Sequence, residues 1–351
     1  MSHIQHRIEA FVKLGTFLRK FVSEAHETEK TAVLKDFSTF NNQLKLAEAA
    51  NSWFTRESLL FALSQWGEAL SKENLTKWLE AYNSKISKPK TVAIVMAGNI
   101  PLVGFHDFIC TLLAGHSVLV KQSSNDQHIL PFLADFLTDE CPSLKGKINF
   151  TTDKLSGFDA VIATGSDNTA RYFEYYFSKN PSIIRRSRNS VAVLTGNENS
   201  EELQNLGEDI FRYFGLGCRS VSKLFVPKGY NFDSFFKAIY PYRHTINNQK
   251  YANNYDYNKA VYLMSLYKLL ENGFLMLKED KGYASPIATV FYEHFNSLEE
   301  LKSQLKADEE KIQCIVSRGF IANEINFGDT QKPNLWDYSD GIDTMKFLLE
   351  I

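Results

Sequence analysis

Over the first 87 positions apolar residues recur at intervals of three and four, as in IEAFVKLGTFLRKFV and RESLLFALSQWGEAL. That period places them on one face of amphipathic helices. Helix breaks are expected around residues 36–42 and 51–55, where polar and turn-forming residues gather. The polar, proline-bearing KISKPK at 85–90 closes this region. The pattern then changes. TVAIVMA (91–97), SVLVK (117–121), KINFT (147–151) and FDAVIAT (158–164) are apolar runs of strand length, separated by helical stretches at 107–114, 126–138 and 168–177. The alternation continues with SVAVLT (190–195), a helix over 200–213, VSKLFVP (221–227), a helix over 232–238 and a longer one over 256–271. IATVFY (287–292), a helix over 298–305 and IQCIVS (312–317) follow, and the chain ends on a segment holding Trp336 and the apolar MKFLLEI. Strands alternating with helices predict an α/β fold whose mainly parallel sheets carry helices on both faces.

A chain of 351 residues fits two domains, or three if one is small. With a net charge of -2 it has no global basic field, so nucleic acid is not an expected partner. Charges interrupt the opening MSHIQHRIEAFVKLG, which lacks the apolar core of a signal peptide, and no apolar run reaches the about 18 residues of a membrane span. A cytoplasmic protein is expected. The four cysteines, Cys110, Cys141, Cys218 and Cys314, lack the close spacing of a zinc site, so no metal is expected and the thiols stay reduced. Cys110 and Cys314 sit in apolar stretches and read as buried small hydrophobes.

Four places could carry chemistry. In TGSDNTARY (164–172) a strand runs into a helix, whose start presents unpaired N–H groups and partial positive charge. Gly165 and Ser166 there suit a diphosphate cradle, although an ordinary capped turn uses the same residues. In AGNIPLVGF (97–105), just after a strand, the Asn99 amide could hold an oxyanion or simply make a turn before Pro101. Lys121 closes a strand and either snorkels to solvent or holds a ribose. Ser124, where an acidic residue would favour a free 2′-hydroxyl, points to NADPH, with NADH the alternative. In FGLGCRSV (214–221), Cys218 follows two glycines and precedes Arg219, whose charge would favour a thiolate; an incidental loop cysteine fits the same letters.

AGNIPL, LLAGHSVLVKQSS, ATGS and FGLGC, in that order, resemble the aldehyde dehydrogenase superfamily. More closely the chain is similar to the LuxC-type acyl-CoA reductases, as are its helical beginning and its tail GDTQKPNLWDYSDGIDTMKFL. The resemblance implies an aldehyde-dehydrogenase-like α/β fold: two Rossmann-like three-layer domains with a helical N-terminal region. Its expected parts are the helical region at 1–90, a dinucleotide-binding domain at 91–189, a catalytic domain at 190–327 and a C-terminal segment at 328–351 used for oligomerisation. It gives Cys218 the role of nucleophile, Asn99 that of oxyanion holder, Lys121 the adenosine ribose, and Gly165 and Ser166 the diphosphate turn.

The activity it implies is reduction of an acyl-CoA, or another acyl thioester, to an aldehyde with NAD(P)H, coenzyme A leaving. An acyl-transfer protein partner and homo-oligomers go with the family. Two departures stand out. RRSRNSVAVL (185–194) lacks the glutamate with which hydrolytic relatives activate water, and KGYASPIATVF (281–291) lacks one that contacts the nicotinamide ribose. Both fit a reductase that hands its acyl group to and from a thiol. Acyl transfer without hydride chemistry, and a non-catalytic partner-binding subunit, are the competing readings. The arginines Arg185, Arg186 and Arg188 are candidates for phosphate contacts or for a solvated basic loop. The Asn- and Tyr-rich 244–259 reads as a substrate entrance or a polar loop.

Overall fold

A computed structural model of the chain describes residues 3–26, 35–82 and 88–351; residues 85–87 of the expected KISKPK link lie outside these. The chain divides into two units, Met1–Arg186 with Asn334–Ile351, and Ser187–Pro333.

The first unit begins with α1 (His3–His26), α2 (Lys35–Ala50), α3 (Arg56–Ala69) and α4 (Lys72–Leu79). Phe11, Leu14, Leu18 and Phe21 form the buried stripe of α1, and Phe17 and Phe21 join Phe37 and Phe40 of α2 in one aromatic cluster. α1 and α3 approach closely at Gly15 and Gly67, where a side chain on either would meet the facing helix. The break expected at 36–42 is not there: α2 runs straight through it. Phe37, Phe40, Leu44 and Ala47 fall on its core face, and burying them outweighs the poor helix propensity of the polar residues between. The break at 51–55 is present, with Thr55 capping the Ser58 N–H of α3.

The sheet of this unit alternates with helices: β1 (Thr91–Val95), α5 (Phe105–Ala114), β2 (Ser117–Lys121), α6 (Ile129–Glu140), β3 (Ile148–Phe150), β4 (Ala160–Thr164), α7 (Asp167–Tyr176) and β5 (Ser182–Arg185). All five strands are parallel, in the order β3-β2-β1-β4-β5. Such strands are covered on both faces, which is why β1 and β4 read as unbroken apolar runs. On one face Val92, Ile94, Val118 and Val120 share a core with α1 to α6. On the other, Ala93, Val161 and Ala163 pack with Phe158, Phe173 and Phe177. The four-residue β5 is an element the sequence pattern did not reveal.

The second unit contains β6 (Asn189–Val193), α8 (Ser200–Phe211), β7 (Val221–Pro227), α9 (Asp233–Ala238), α10 (Gln249–Met264), β8 (Leu269–Glu271), β9 (Met276–Glu279), β10 (Thr289–Phe295), α11 (Leu298–Ala307) and β11 (Ile312–Val316). Its six strands run β11-β6-β7-β10-β9-β8, parallel except for the antiparallel β8–β9 edge. The long helix expected at 256–271 lies seven residues earlier and ends sooner. Asn248 caps its first N–H groups, Leu266 turns left-handed at φ 57°, and residues 269–271 become an edge strand. The stretch 244–259 is therefore helical and not a polar loop. Tyr251 and Tyr255 are buried, donating to the Phe274 carbonyl at 2.9 Å and to Glu271 at 2.5 Å.

The chain returns to the first unit with α12 (Thr344–Glu350). Met345 and Leu348 are fully buried there, so core packing within the unit accounts for part of the tail's apolar character. His116 accepts the Lys90 N–H at Nδ1 (3.0 Å), which leaves the proton on Nε2 to donate to the Leu348 carbonyl at 2.7 Å. Trp78 donates to Tyr338 at 2.7 Å, and Tyr82 donates to Asp343 at 2.8 Å. The firmest tie is ionic. Arg185, at the end of β5, forms two bonds to Asp107 of α5 at 2.5 and 2.8 Å and a third to Thr344 Oγ1 at 3.0 Å, both charged side chains being 6% exposed.

Asp126 is a further buried acid of the unit. It lies in the loop after β2, and one oxygen accepts the Leu102 N–H at 2.8 Å while the other is buried without a partner. Burial pushes its carboxyl up to about 6.

Two predictions follow from these buried charges. Asp107→Ala leaves Arg185 buried and unpaired and is expected to destabilise the first unit by about 3–5 kcal/mol in chemical denaturation, whereas Asp107→Leu with Arg185→Met recovers most of that loss; a single variant as stable as the parent contradicts the role given to the pair. For Asp126 the native state holds its proton more tightly than the unfolded chain. Its stabilising contribution is therefore full below its ordinary 3.8 and lost as pH rises through about 6. Asp126→Asn, neutral throughout, is expected to gain on the order of 2 kcal/mol relative to the parent at about pH 8, a gain that shrinks towards about pH 4. A difference that does not change with pH contradicts it.

Candidate functional site

Parallel α/β sheets place ligands outside the carboxyl ends of their strands, where the strand order reverses. In the first unit β1 and β2 lead one way across the sheet and β4 and β5 the other, so the reversal lies between β1 and β4. Gly98 and Asn99 follow β1, Lys121 ends β2 with Ser124 in the loop beyond it, and Gly165 and Ser166 follow β4. The fold thus gathers all five sequence-derived positions of this unit at one sheet edge.

Their local geometry differs. Gly98 is buried and a Cβ on it would collide with the Ser123 side chain, so the loops after β1 and β2 rest directly on one another. Asn51 reinforces the contact, donating to the Gly98 carbonyl at 3.4 Å. Asn99 itself is exposed. The loop beyond it is fixed by Leu102, left-handed at φ 57°, whose N–H is the one held by Asp126. Lys121 donates to the Asp153 carbonyl at 2.9 Å, and the Ser124 carbonyl accepts from Gln127 at 2.9 Å. Ser166 is the N-cap of α7, accepting the Thr169 N–H at 3.4 Å, and Gly165 lies against Thr169 and Phe173 with no room for a side chain. A ten-residue helix starting at the reversal point, entered through a glycine closely approached by its own helix, fits a dinucleotide phosphate.

The second unit holds Cys218. It is the exposed cysteine; Cys110, Cys141 and Cys314 are buried, as expected for Cys110 and Cys314. Cys110 has an imidazole partner, His106 Nδ1 at 3.7 Å, yet burial pushes the thiol up and the imidazole down, so both stay neutral in the core. Cys218 lies between α8 and β7. Tyr213, Phe214 and Gly215 are successively left-handed at φ 55°, 58° and 77°, a conformation that is costly for the two aromatic residues. The Cys218 carbonyl accepts from Ser190 Oγ at 3.0 Å, and the Ser220 N–H donates to the Gly217 carbonyl at 3.0 Å. Phe214, half-buried, stands beside Tyr251 at the rim of a narrow cavity that also touches Gly215 and residues 285–290. Phe105 and Phe108 are wholly in the first unit's core.

Arg219 does more than add charge near the thiol. Its Nε donates to the Thr330 carbonyl at 2.5 Å. The turn at 328–330 is in turn gripped by Asp209, fully buried on α8, which accepts the Gly328 N–H at 2.7 Å and the Thr330 N–H and hydroxyl at 3.0 and 2.8 Å. Burial still pushes the Asp209 carboxyl up to about 6. Sequence reasoning missed this acid, although a signal was there: Asp209 falls three positions after Leu206 and six after Leu203 on the buried stripe of α8.

The three arginines of 185–188 separate. Arg185 is withdrawn into its ion pair with Asp107, which corrects the idea that it contacts a phosphate or lies in a solvated loop. Arg186 pairs with exposed Glu174 at 2.6 Å, and Arg188 donates to the carbonyls of Glu309 and Ile312 at 3.3 and 3.4 Å. His244 is exposed, its Nδ1 bonded to the Pro241 carbonyl at 3.0 Å. Among the described residues, no group of three His, Cys, Asp or Glu is arranged to hold a metal, and no helix is long and apolar enough to cross a membrane.

Comparison with known proteins identifies the fold and the family. No curated protein matches the chain. Aldehyde dehydrogenase 21 from Physcomitrella patens, solved with succinate, superposes with a TM-score of 0.69 at 13% identity, over 100% of this chain and 84% of that one. An NAD-dependent aldehyde dehydrogenase from Sinorhizobium meliloti gives 0.63 at 12% identity over 94% and 72%, and an indole-3-acetaldehyde dehydrogenase solved with NAD+ gives 0.63 at 11% over 90% and 72%. At these identities the likeness shows the fold, which is that of the aldehyde dehydrogenases. Residues 5–238 match the family described as Acyl-CoA reductase (LuxC), and the chain belongs to that family.

Proposed function

We propose that this acyl-CoA reductase works through a Cys218 acyl-enzyme and takes NADPH as its reductant. The observation that carries the reading is the exposed thiol of Cys218, between the left-handed residues 213–215 and β7, in a LuxC-family chain whose other three cysteines are buried.

The Cys218 thiolate attacks the thioester carbonyl, and the tetrahedral adduct expels the thiolate of coenzyme A, which takes up a proton. A hydrogen bond from the Asn99 amide is the proposed stabiliser of the oxyanion. Reduced nicotinamide, when bound, supplies the hydride that brings the acyl carbon to the thiohemiacetal level. Collapse of that adduct releases the aldehyde and returns Cys218 as a thiolate. The backbone at Gly165 and Ser166 would hold the diphosphate and the Lys121 ammonium the adenosine ribose, with Ser124 leaving room for a 2′-phosphate. The lack of an acidic residue in RRSRNSVAVL leaves no base there to spend the acyl-enzyme on water. Acyl-CoA is the substrate in this reading; an acyl-transfer protein as a source of acyl groups, and assembly with further copies, are carried over from the family resemblance.

Cys218→Ala is expected to abolish NADPH oxidation with every acyl-CoA of a chain-length panel while NADPH binding, followed by fluorescence titration, stays within about twofold of the parent. Retained turnover would falsify the acyl-enzyme. Acylation of Cys218 without NADPH oxidation would turn the reading to acyl transfer. Ser124→Glu is expected to lower kcat/KM for NADPH by about tenfold or more and to spare NADH, since a carboxylate repels the 2′-phosphate and accepts a free hydroxyl; an unchanged cofactor preference rules out this assignment of Ser124.

A further inference from the structure

We propose that Asp209 is a positioning residue for the nucleophile loop, acting on Cys218 through the turn at 328–330 and Arg219. This rests on the reading of Cys218 as nucleophile.

The loop has a local problem. Between Phe211, where α8 ends, and Val221, where β7 starts, the chain holds three left-handed residues and an exposed cysteine. Such a backbone persists only where its surroundings over-determine it. The restraint comes from a segment far along the chain. Thr330, 111 residues after Arg219, accepts the Arg219 Nε hydrogen on its carbonyl, and Gln331 donates to Ser220 Oγ at 3.3 Å. The two residues that follow Cys218 are thus both bonded to the 330–331 segment. What fixes that segment is the Asp209 carboxylate, with its three bonds to Gly328 and Thr330.

Asp209 is itself two positions from the end of α8, so one carboxylate links the helix that leads into the loop with the segment that holds its exit. Among the described residues no cation pairs with the acid. The other titratable and charged groups around it are Asp329 on the clamped turn, Glu208 on its own helix and Arg212 just past the helix end, which pair with each other, and Tyr242, which donates to Glu208 at 3.4 Å. Loss of the carboxylate's charge would therefore be felt first by the N–H groups of Gly328 and Thr330.

The test uses the full chain and two readouts: steady-state reduction of a saturating acyl-CoA, and the rate at which iodoacetamide alkylates Cys218, followed by peptide mass across a pH series. Asp209→Asn is expected to lower kcat by about tenfold or more, with KM for acyl-CoA and NADPH within about threefold, and to change the alkylation rate of Cys218. The ratio of parent to variant alkylation is expected to approach one below about pH 6, where Asp209 itself takes up a proton; the ratio cancels the titration of the thiol. Should Asp209→Asn fail to fold, Thr330→Val, which removes only the hydroxyl bond, is expected to move both readouts the same way by a few-fold. A folded variant that alkylates like the parent at every pH overturns the proposal, whatever its kcat. If instead Cys218→Ala keeps full turnover, the acyl-enzyme reading falls, while the alkylation series still reports whether Asp209 sets the loop.

Discussion

The ion pair between Asp107 and Arg185 is the constraint on which the first unit turns. A carboxylate and a guanidinium this deeply buried are tolerable only if each satisfies the other, and here they meet in a two-pronged geometry with Thr344 as a third partner. The positions are telling. Asp107 opens α5, directly after the loop that carries Asn99. Arg185 is the last residue of β5, the point at which the chain leaves for the second unit, and Thr344 starts the helix with which it has come back. One buried contact therefore joins the start of α5, the departing strand and the returning tail, and it fixes the edge of the sheet from which the candidate cofactor loops project.

The same device recurs on a smaller scale at both candidate centres. Asp126 spends its one bonded oxygen on a left-handed residue in the Asn99 loop, and Asp209 spends both of its oxygens on the turn that braces the Cys218 loop. Each carboxyl is held near 6 by burial, so each charge is carried at some cost to the fold. Loops that place chemistry cannot rely on helix or sheet ladders for their shape. A buried carboxylate accepting backbone N–H groups supplies a rigid substitute.

These acids also show why a thiol's surroundings matter more than its neighbours in sequence. Cys110 sits within reach of an imidazole and is silent because both groups are sealed in the core; Cys218 owes its candidacy to exposure and to the unusual backbone that precedes it.

Much of the architecture was legible in the residues themselves. Parallel strands covered on both faces are mainly apolar, so β1, β2, β4, β6 and β7 announced themselves, and glycines or small polar residues at their carboxyl ends marked the loops that carry Asn99, Gly165 and Ser166. Some elements were not legible: β5, β8 and β9 span three or four residues each, too few for a period to emerge, although the equally short β3 showed in KINFT, and α2 and α10 follow burial and capping rather than the local run of polar letters. What the sequence alone determined is the alternation of apolar strand and amphipathic helix, because that pattern is dictated by backbone geometry and by which faces must avoid water. What only the tertiary structure decided is the set of long-range polar partners, Asp107 with Arg185 and Asp209 with Thr330, since a buried charge is specified by a group distant in sequence that only folding brings within hydrogen-bonding distance.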